Sequence, residues 1–254
     1  MILLILQTGY LHGLKVGIAV NGLVSSAKTQ QATEQFLITG GIFQSCSILI
    51  FEYLDLSYAD LRKATDWLQI TFQHPSLLEL HLSACSLEDD PSPISVNSTI
   101  SLVVLDLSEN NFSSVPMSIF GLHGLLSIDL SSNSLEGPIP DYFRNISFLE
   151  VLDLSGNSLN SSTPNSLFSL NHLQFLNLSS NEIYQGVSEI LLSLSRCCLD
   201  CLQSLDMAHN HLFGHLIDPP GHFKSLAHLS IACWKQYFWP HSIVHRAVII
   251  FEVV

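Results

Sequence analysis

The sequence predicts an α/β solenoid: short repeats of about 24 residues stacked so that a curved parallel β-sheet lines the concave face. Three observations predict it. An eleven-residue motif of the form L-x-x-L-x-L-x-x-N-x-L recurs along most of the chain. Its copies follow one another at a nearly constant step. Within each copy the fourth, fifth and sixth residues alternate apolar, polar, apolar, as in a half-buried strand.

Four copies keep every key position: LVVLDLSENNF from Leu102, LLSIDLSSNSL from Leu125, LEVLDLSGNSL from Leu149 and LQFLNLSSNEI from Leu173. A fifth, LQSLDMAHNHL from Leu202, has Met207 in place of leucine. Two upstream copies, FEYLDLSYADL from Phe51 and LLELHLSACSL from Leu77, carry Ala59 and Cys85 where asparagine belongs. An eighth begins at Leu226 and breaks at Trp234. The ninth position falls at residues 59, 85, 110, 133, 157, 181 and 210, giving steps of 26, 25, 23, 24, 24 and 29.

Each strand should send residues such as Leu105 and Leu107 inward and Asp106 outward, with Leu102 and Phe112 closing the core from its flanks. One repeat cannot bury its leucines alone, so the core must run through neighbouring copies. Asn110, Asn133, Asn157, Asn181 and Asn210 fall where the chain turns off the strand. An amide both donates and accepts, so this column predicts a ladder that satisfies buried turn groups. Cys85 can replace the amide only in part, as a weak donor, and Ala59 not at all. The organisation is therefore an unassigned segment over 1–45, the array over 46–234 and an unassigned tail over 235–254. Arrays need caps, so the end segments either provide them or leave apolar ends exposed.

Composition narrows the function. With 47% hydrophobic and 12% charged residues the chain is too apolar for disorder. Its net charge of −13 repels phosphate backbones, which argues against a nucleic-acid partner. No stretch of roughly 20 apolar residues predicts a membrane span, and the start, MILLILQTGY, matches a secretory signal poorly. No nucleophile elbow, metalloprotease helix motif or phosphate-binding loop is present, so neither catalysis nor a cofactor is expected. Cys197, Cys198 and Cys201, with His209, His211 and His215 downstream, lack a usual zinc spacing, so no metal site is expected. If they form a disulfide, Cys201 is the better partner for either neighbour, since adjacent cysteines pair only under strain. These cysteines lie in the 29-residue step, which reads as an inserted loop.

The segment SLEGPIP, Ser134–Pro140, matches the L-x-G-x-I-P turn of plant-specific leucine-rich repeats; SVP at Ser114–Pro116 and LFGHLIDPP at Leu212–Pro220 are degraded forms. With LDLS-x-N, these motifs make residues from about 51 to 231 resemble the ectodomains of plant receptor-like proteins and receptor-like kinases, in particular the disease-resistance type. The resemblance implies a secreted, glycosylated recognition module at the cell surface, for a protein, peptide or glycan ligand, with a co-receptor kinase ectodomain as a further partner. The family's paired-cysteine caps, membrane helix and kinase domain have no counterpart here, which suggests an internal piece of a longer receptor. A soluble interaction or decoy protein, or a truncated product without independent function, is the alternative.

In such arrays the concave face is the binding surface, and its outward residues occupy the second, third, fifth, seventh and eighth positions. The candidates are Tyr53, Asp55, Tyr58, Glu79, His81, Val104, Asp106, Glu109, Asp129, Glu150, Asp153, Phe175, Asp206 and His209. The fifth-position column, nearly all Asp, either forms a negative stripe for a basic or hydroxyl-rich ligand or simply solvates the sheet. The seventh column, nearly all Ser, suggests sheet packing. Sequons at Asn97, Asn111, Asn145, Asn160 and Asn177 are candidate glycosylation sites.

Overall fold

The computed structural model describes residues 14–20, 23–29, 52–62, 67, 76–89, 101–160, 167–214, 223–232 and 248–252; for 14–20, 23–29 and 248–252 the backbone path alone is described. Every repeat contributes one three-residue strand at its third to fifth positions. These are β3 (Tyr53–Asp55), β4 (Glu79–His81), β5 (Val104–Asp106), β6 (Ser127–Asp129), β8 (Val151–Asp153), β10 (Phe175–Asn177) and β11 (Ser204–Asp206), with β12 (His228–Ala232) from the broken eighth copy. They pair in parallel, repeat on repeat and in strict register, so that Leu80, Leu105, Ile128, Leu152, Leu176 and Leu205 form one buried row. The register is fixed because a one-residue slip would turn that row to solvent.

The core is continuous through the array, as the motif requires: Leu56, Leu82, Leu107, Leu130, Leu154, Leu178 and Met207 form a second buried row beside the first. On the far side of the core the chain returns through short 3₁₀ turns, Met117–Gly121, Asp141–Asn145 and Leu167–Ser169. The SLEGPIP turn adds a small second parallel sheet, β7 (Glu136–Gly137) with β9 (Ser158–Leu159). Gly137 has φ +75°, a conformation that glycine adopts freely.

The long repeat holds a helix rather than a plain loop. Helix α1 (Val187–Cys197) buries Val187, Ile190, Leu191 and Leu194, a stripe spaced i, i+3, i+4, i+7 that faces the core. Glu189 in the first turn and Arg196 in the last complement the helix dipole. The extra residues of this step lengthen the returning segment into a helix, which the strand motif does not report.

Both ends of the sheet have neighbours. An antiparallel hairpin, β1 (Leu14–Val20) with β2 (Leu23–Thr29), lies in the segment before the array. At the other end β13 (Val248–Glu252) pairs antiparallel with β12, so the last parallel strand does not present a bare edge.

The asparagine column forms the expected ladder. Asn157 donates from Nδ2 to Leu130 O of the preceding repeat (3.0 Å) and to Leu154 O of its own (3.0 Å), and its Oδ1 accepts from Leu135 N (3.0 Å). Asn110, Asn133, Asn181 and Asn210 repeat the pattern. At Cys85 the work is divided. The thiol donates to Leu56 O (3.2 Å), while the backbone carbonyl of Cys85 accepts from Leu61 N (2.9 Å). Ser86, at φ +57°, supplies the twist that accompanies the inward carbonyl; no other described repeat has its tenth residue there.

Candidate concave-face site

Because strands are short, the outward surface of the sheet consists of two rows, the third and the fifth positions. The third reads Tyr53, Glu79, Val104, Ser127, Val151, Phe175, Ser204, His228; the fifth reads Asp55, His81, Asp106, Asp129, Asp153, Asn177, Asp206, Ser230. All are half-buried except Phe175, which is 42% exposed, and Ser230, which is buried. No lysine or arginine stands in either row.

The fifth-position carboxylates have a structural task that the sequence did not disclose. Oδ1 of Asp55, Asp106, Asp129, Asp153 and Asp206 accepts the N–H two residues on, at 2.8–3.0 Å. Asn177 does the same toward Ser179 N (3.1 Å). Each is an Asx turn that ends the strand. The seventh-position serines reinforce it: Ser108, Ser155 and Ser179 donate from their hydroxyls to the same oxygens, and Ser83 Oγ lies 2.8 Å from Ser108 Oγ, which can accept from it. The Asp column therefore builds the turn as well as charging the face.

The eighth-position candidates, Tyr58, Glu109 and His209, lie past the strands, in the turn. Their φ values are +67°, +56° and +55°, and the same position is left-handed in Ala84, Ser132, Gly156 and Ser180. The geometry is common to the repeat, since the eighth N–H donates to the seventh carbonyl of the next copy, as Tyr58 does to Ser83 and Glu109 to Ser131. Their side chains are exposed at the rim. Glu150, at the second position, is half-buried and leads into β8.

Two portions of the face differ in chemistry. Near the start, Tyr53, Glu79, His81 and Asp106 converge. The ring of His81 lies 5.3 Å from that of Tyr53, its Nδ1 is 3.4 Å from Asp106 Oδ2, and its Nε2 is 3.8 Å from Glu79 Oε2. The Asp106 hydrogen bond, against the opposing effect of burial, raises the His81 pKa above its ordinary value. Burial pushes Asp106 upward, but the bonds from His81 and Ser108 outweigh it and hold the carboxyl below its ordinary value. Burial also raises Asp129, which stands between Asp106 and Asp153.

Toward the other end, between β8 and β12, a depression of about 240 Å³ opens on the face, lined by Val151, Asp153, Phe175, Asn177, Ser204, Asp206 and His228. Asn177 donates to Asp153 Oδ2 (2.9 Å), so its amide is engaged on both sides. Of the sequons, Asn111, Asn145 and Asn160 are exposed, Asn177 is half-buried on the concave face, and Asn97 lies outside the described residues.

The cysteine pairing differs from expectation. Cys197 and Cys198 are bonded to each other, and Cys201 is a free thiol whose Sγ donates to Asn171 O (3.4 Å). Helix α1 ends between the bonded pair: Cys197 is its last residue and Cys198 has left helical geometry, at φ −123° and ψ 22°. That break lets adjacent side chains turn to one another, while Cys201 is directed to the preceding repeat. No group of three or more His, Cys, Asp or Glu suited to a metal occurs among the described residues, and no helix among them is long and apolar enough to cross a membrane.

Comparison with known proteins agrees with the repeat. Residues 139–183, and separately 101–122, 124–146 and 201–226, match families described as leucine-rich repeats. The chain is 35% identical to receptor-like protein EIX1 of Solanum lycopersicum over 135 residues, 51% of this chain and 13% of that protein. It is 40% identical to receptor-like protein EIX2 of the same plant over 96 residues, 35% of this chain and 9% of that one. The matched stretches thus span a small part of these relatives. In fold the chain is similar to a TDR receptor (TM-score 0.53, 22% identity, 65% of this chain and 32% of that one). It is similar also to the plant peptide hormone receptor RGFR1, solved in complex with RGF2 (TM-score 0.52, 24% identity, 65% and 26%). Over the stretches it shares with them, the chain is similar to plant receptor-like proteins, and it carries the leucine-rich repeat that the family models match.

Proposed function

We propose that this chain is a non-enzymatic recognition module that binds a protein, peptide or glycan ligand on its concave face, at the cell surface or outside the cell, in defence or signalling. The observation that carries the reading is the contrast between a constant scaffold and an individual surface. Inward rows, asparagine column and Asx turns repeat from copy to copy, while the third-position row changes at almost every strand. A scaffold that holds varied side chains on a rigid sheet suits selective binding. The receptor-like relatives support the same reading. A co-receptor kinase ectodomain is the further partner that this reading implies, and the exposed sequons suit a glycosylated surface protein.

The test is selection of binders from a displayed peptide library against the full chain. It is repeated with Val104→Arg plus Val151→Arg on the concave rows and with Tyr142→Arg on an outer turn. Enriched peptides should be lost with the concave pair and kept with the outer variant. Enrichment indifferent to the concave pair would contradict the reading. Secretion from plant cells with an endoglycosidase-sensitive mobility shift checks the location, and a retained, unshifted product would argue against it.

A further inference from the structure

We infer that the depression between β8 and β12 docks a cationic side chain of a peptide ligand, laid on the face of Phe175 with its charge directed at Asp206. This rests on the concave face being the recognition surface and names what that surface takes. Phe175 alone in the third-position row is exposed, and no aromatic contact to it occurs among the described residues. An exposed phenylalanine on a rigid strand is an apolar platform with a negative π-face, which attracts cations.

The surroundings select the sign of charge. Opposite Phe175 on β11 stands the short Ser204, which leaves one flank of the ring open. Asp206 lies two residues beyond Ser204, so its Cα is about 8 Å from that of Phe175, given ordinary strand spacing and rise. Asp206 differs from Asp153 across Asn177. Asp153 has both oxygens engaged, by Ser155 and by Asn177. Among the described residues Asp206 accepts only from Ala208 N, through Oδ1, with no bond to Oδ2; Ala208 stands where a serine hydroxyl follows in other copies. A carboxylate with one oxygen unbonded among the described residues thus lines a depression whose rows hold no lysine or arginine, on a chain of net charge −13. Arginine suits both parts, since its guanidinium stacks on rings and pairs with carboxylates.

The probe is an arginine-bearing nonapeptide, compared with the same peptide carrying citrulline, which keeps the shape and removes the charge. Titration uses the full chain and four variants. Phe175→Ala removes the platform, and Phe175→Leu keeps apolar area without the π-face. Asp206→Asn removes charge but preserves the turn, as Asn177 shows in the same column. Asp141→Asn makes an equal charge change on an outer turn. The expected result is roughly tenfold weaker binding for Phe175→Ala, an intermediate loss for Phe175→Leu and several-fold weaker binding for Asp206→Asn. Asp141→Asn should have little effect, the citrulline peptide should not bind, and affinity should fall with salt. Equal effects of Asp206→Asn and Asp141→Asn, with none from Phe175→Ala, would show diffuse attraction and overturn the inference. Equal binding of the citrulline peptide, still lost in Phe175→Ala, would refute the cationic occupant and leave the concave face a binding surface. If neither peptide, nor any from the library, depends on a concave residue, both readings fail.

Discussion

The first two repeats and the five that follow share one backbone but satisfy it differently. In the later five, an amide, buried in all but the half-buried Asn133, bridges each turn to the repeat before it, as Asn157 does through Leu130 O and Leu135 N. In the second repeat, the Cys85 thiol reaches Leu56 O and, at 3.5 Å, Ser83 O, while its own carbonyl takes the remaining bond, beside a left-handed Ser86. At Ala59 no side chain contributes, and the turn closes by Ala59 N donating to Leu56 O (3.0 Å). The outward face divides in a similar way. Over the early strands the polar groups turn to one another, around His81; over the later ones Phe175 and Asp206 remain open. The difference teaches that the repeat is a requirement for donors and acceptors at fixed points. Asparagine is the most economical answer, and the face left open lies over the best-bridged turns.

The largest effect expected from breaking this contrast is at Asn157. Asn157→Ala strands Leu130 O, Leu154 O and Leu135 N in the core, and should cost about 3 kcal/mol, read as a lower urea midpoint. Gly156→Ala should cost about 1–2 kcal/mol, because φ is +65° there and the added Cβ would meet Ser132 Oγ at 3.3 Å. Neighbours that hold the same φ with a side chain already carry that cost, so the matching Ser180→Gly should be far milder.

Cys85→Asn asks whether the exception is repairable. An amide there can take over both bonds and release Ser86 from its left-handed conformation, with an expected gain of about 1 kcal/mol; Cys85→Ala should lose about as much. Burial pushes the Cys85 thiol up to about 12, so a thiol reagent should label Cys201 before Cys85 and reach Cys85 only on unfolding.

The smallest effect is at His81. Its folded pKa is raised, chiefly by the Asp106 hydrogen bond. The charged imidazole therefore adds stability fully below the ordinary histidine pKa, and this is lost as pH rises through the raised folded value. His81→Gln should flatten that part of the stability profile; an unchanged slope would place the titration elsewhere.

Much of this was legible in the sequence, and the parts that were not have a common cause. The inward leucines and the asparagine ladder follow from a period and from amide chemistry. So does the placing of Phe175 on the outward row. The Asx turns were not read, because Asp106 in LDLS looks alike whether its carboxylate faces solvent or a backbone N–H. Helix α1 was missed because its apolar stripe, Val187 to Leu194, lies in the variable half of the repeat. The bonded Cys197–Cys198 depends on where that helix ends, which spacing cannot supply. The open oxygen of Asp206 shows only once Ala208 is seen to stand where a serine hydroxyl would have taken it.

The central claim is that recognition lies on the concave face and is strongest over its later strands. A scan of the third-position row measures it most directly: Tyr53→Ala, Glu79→Ala, Val104→Ala, Val151→Ala and Phe175→Ala, each titrated with one library-selected peptide. Losses should grow along the row and peak at Phe175. A flat profile, or a maximum at Tyr53, would contradict it.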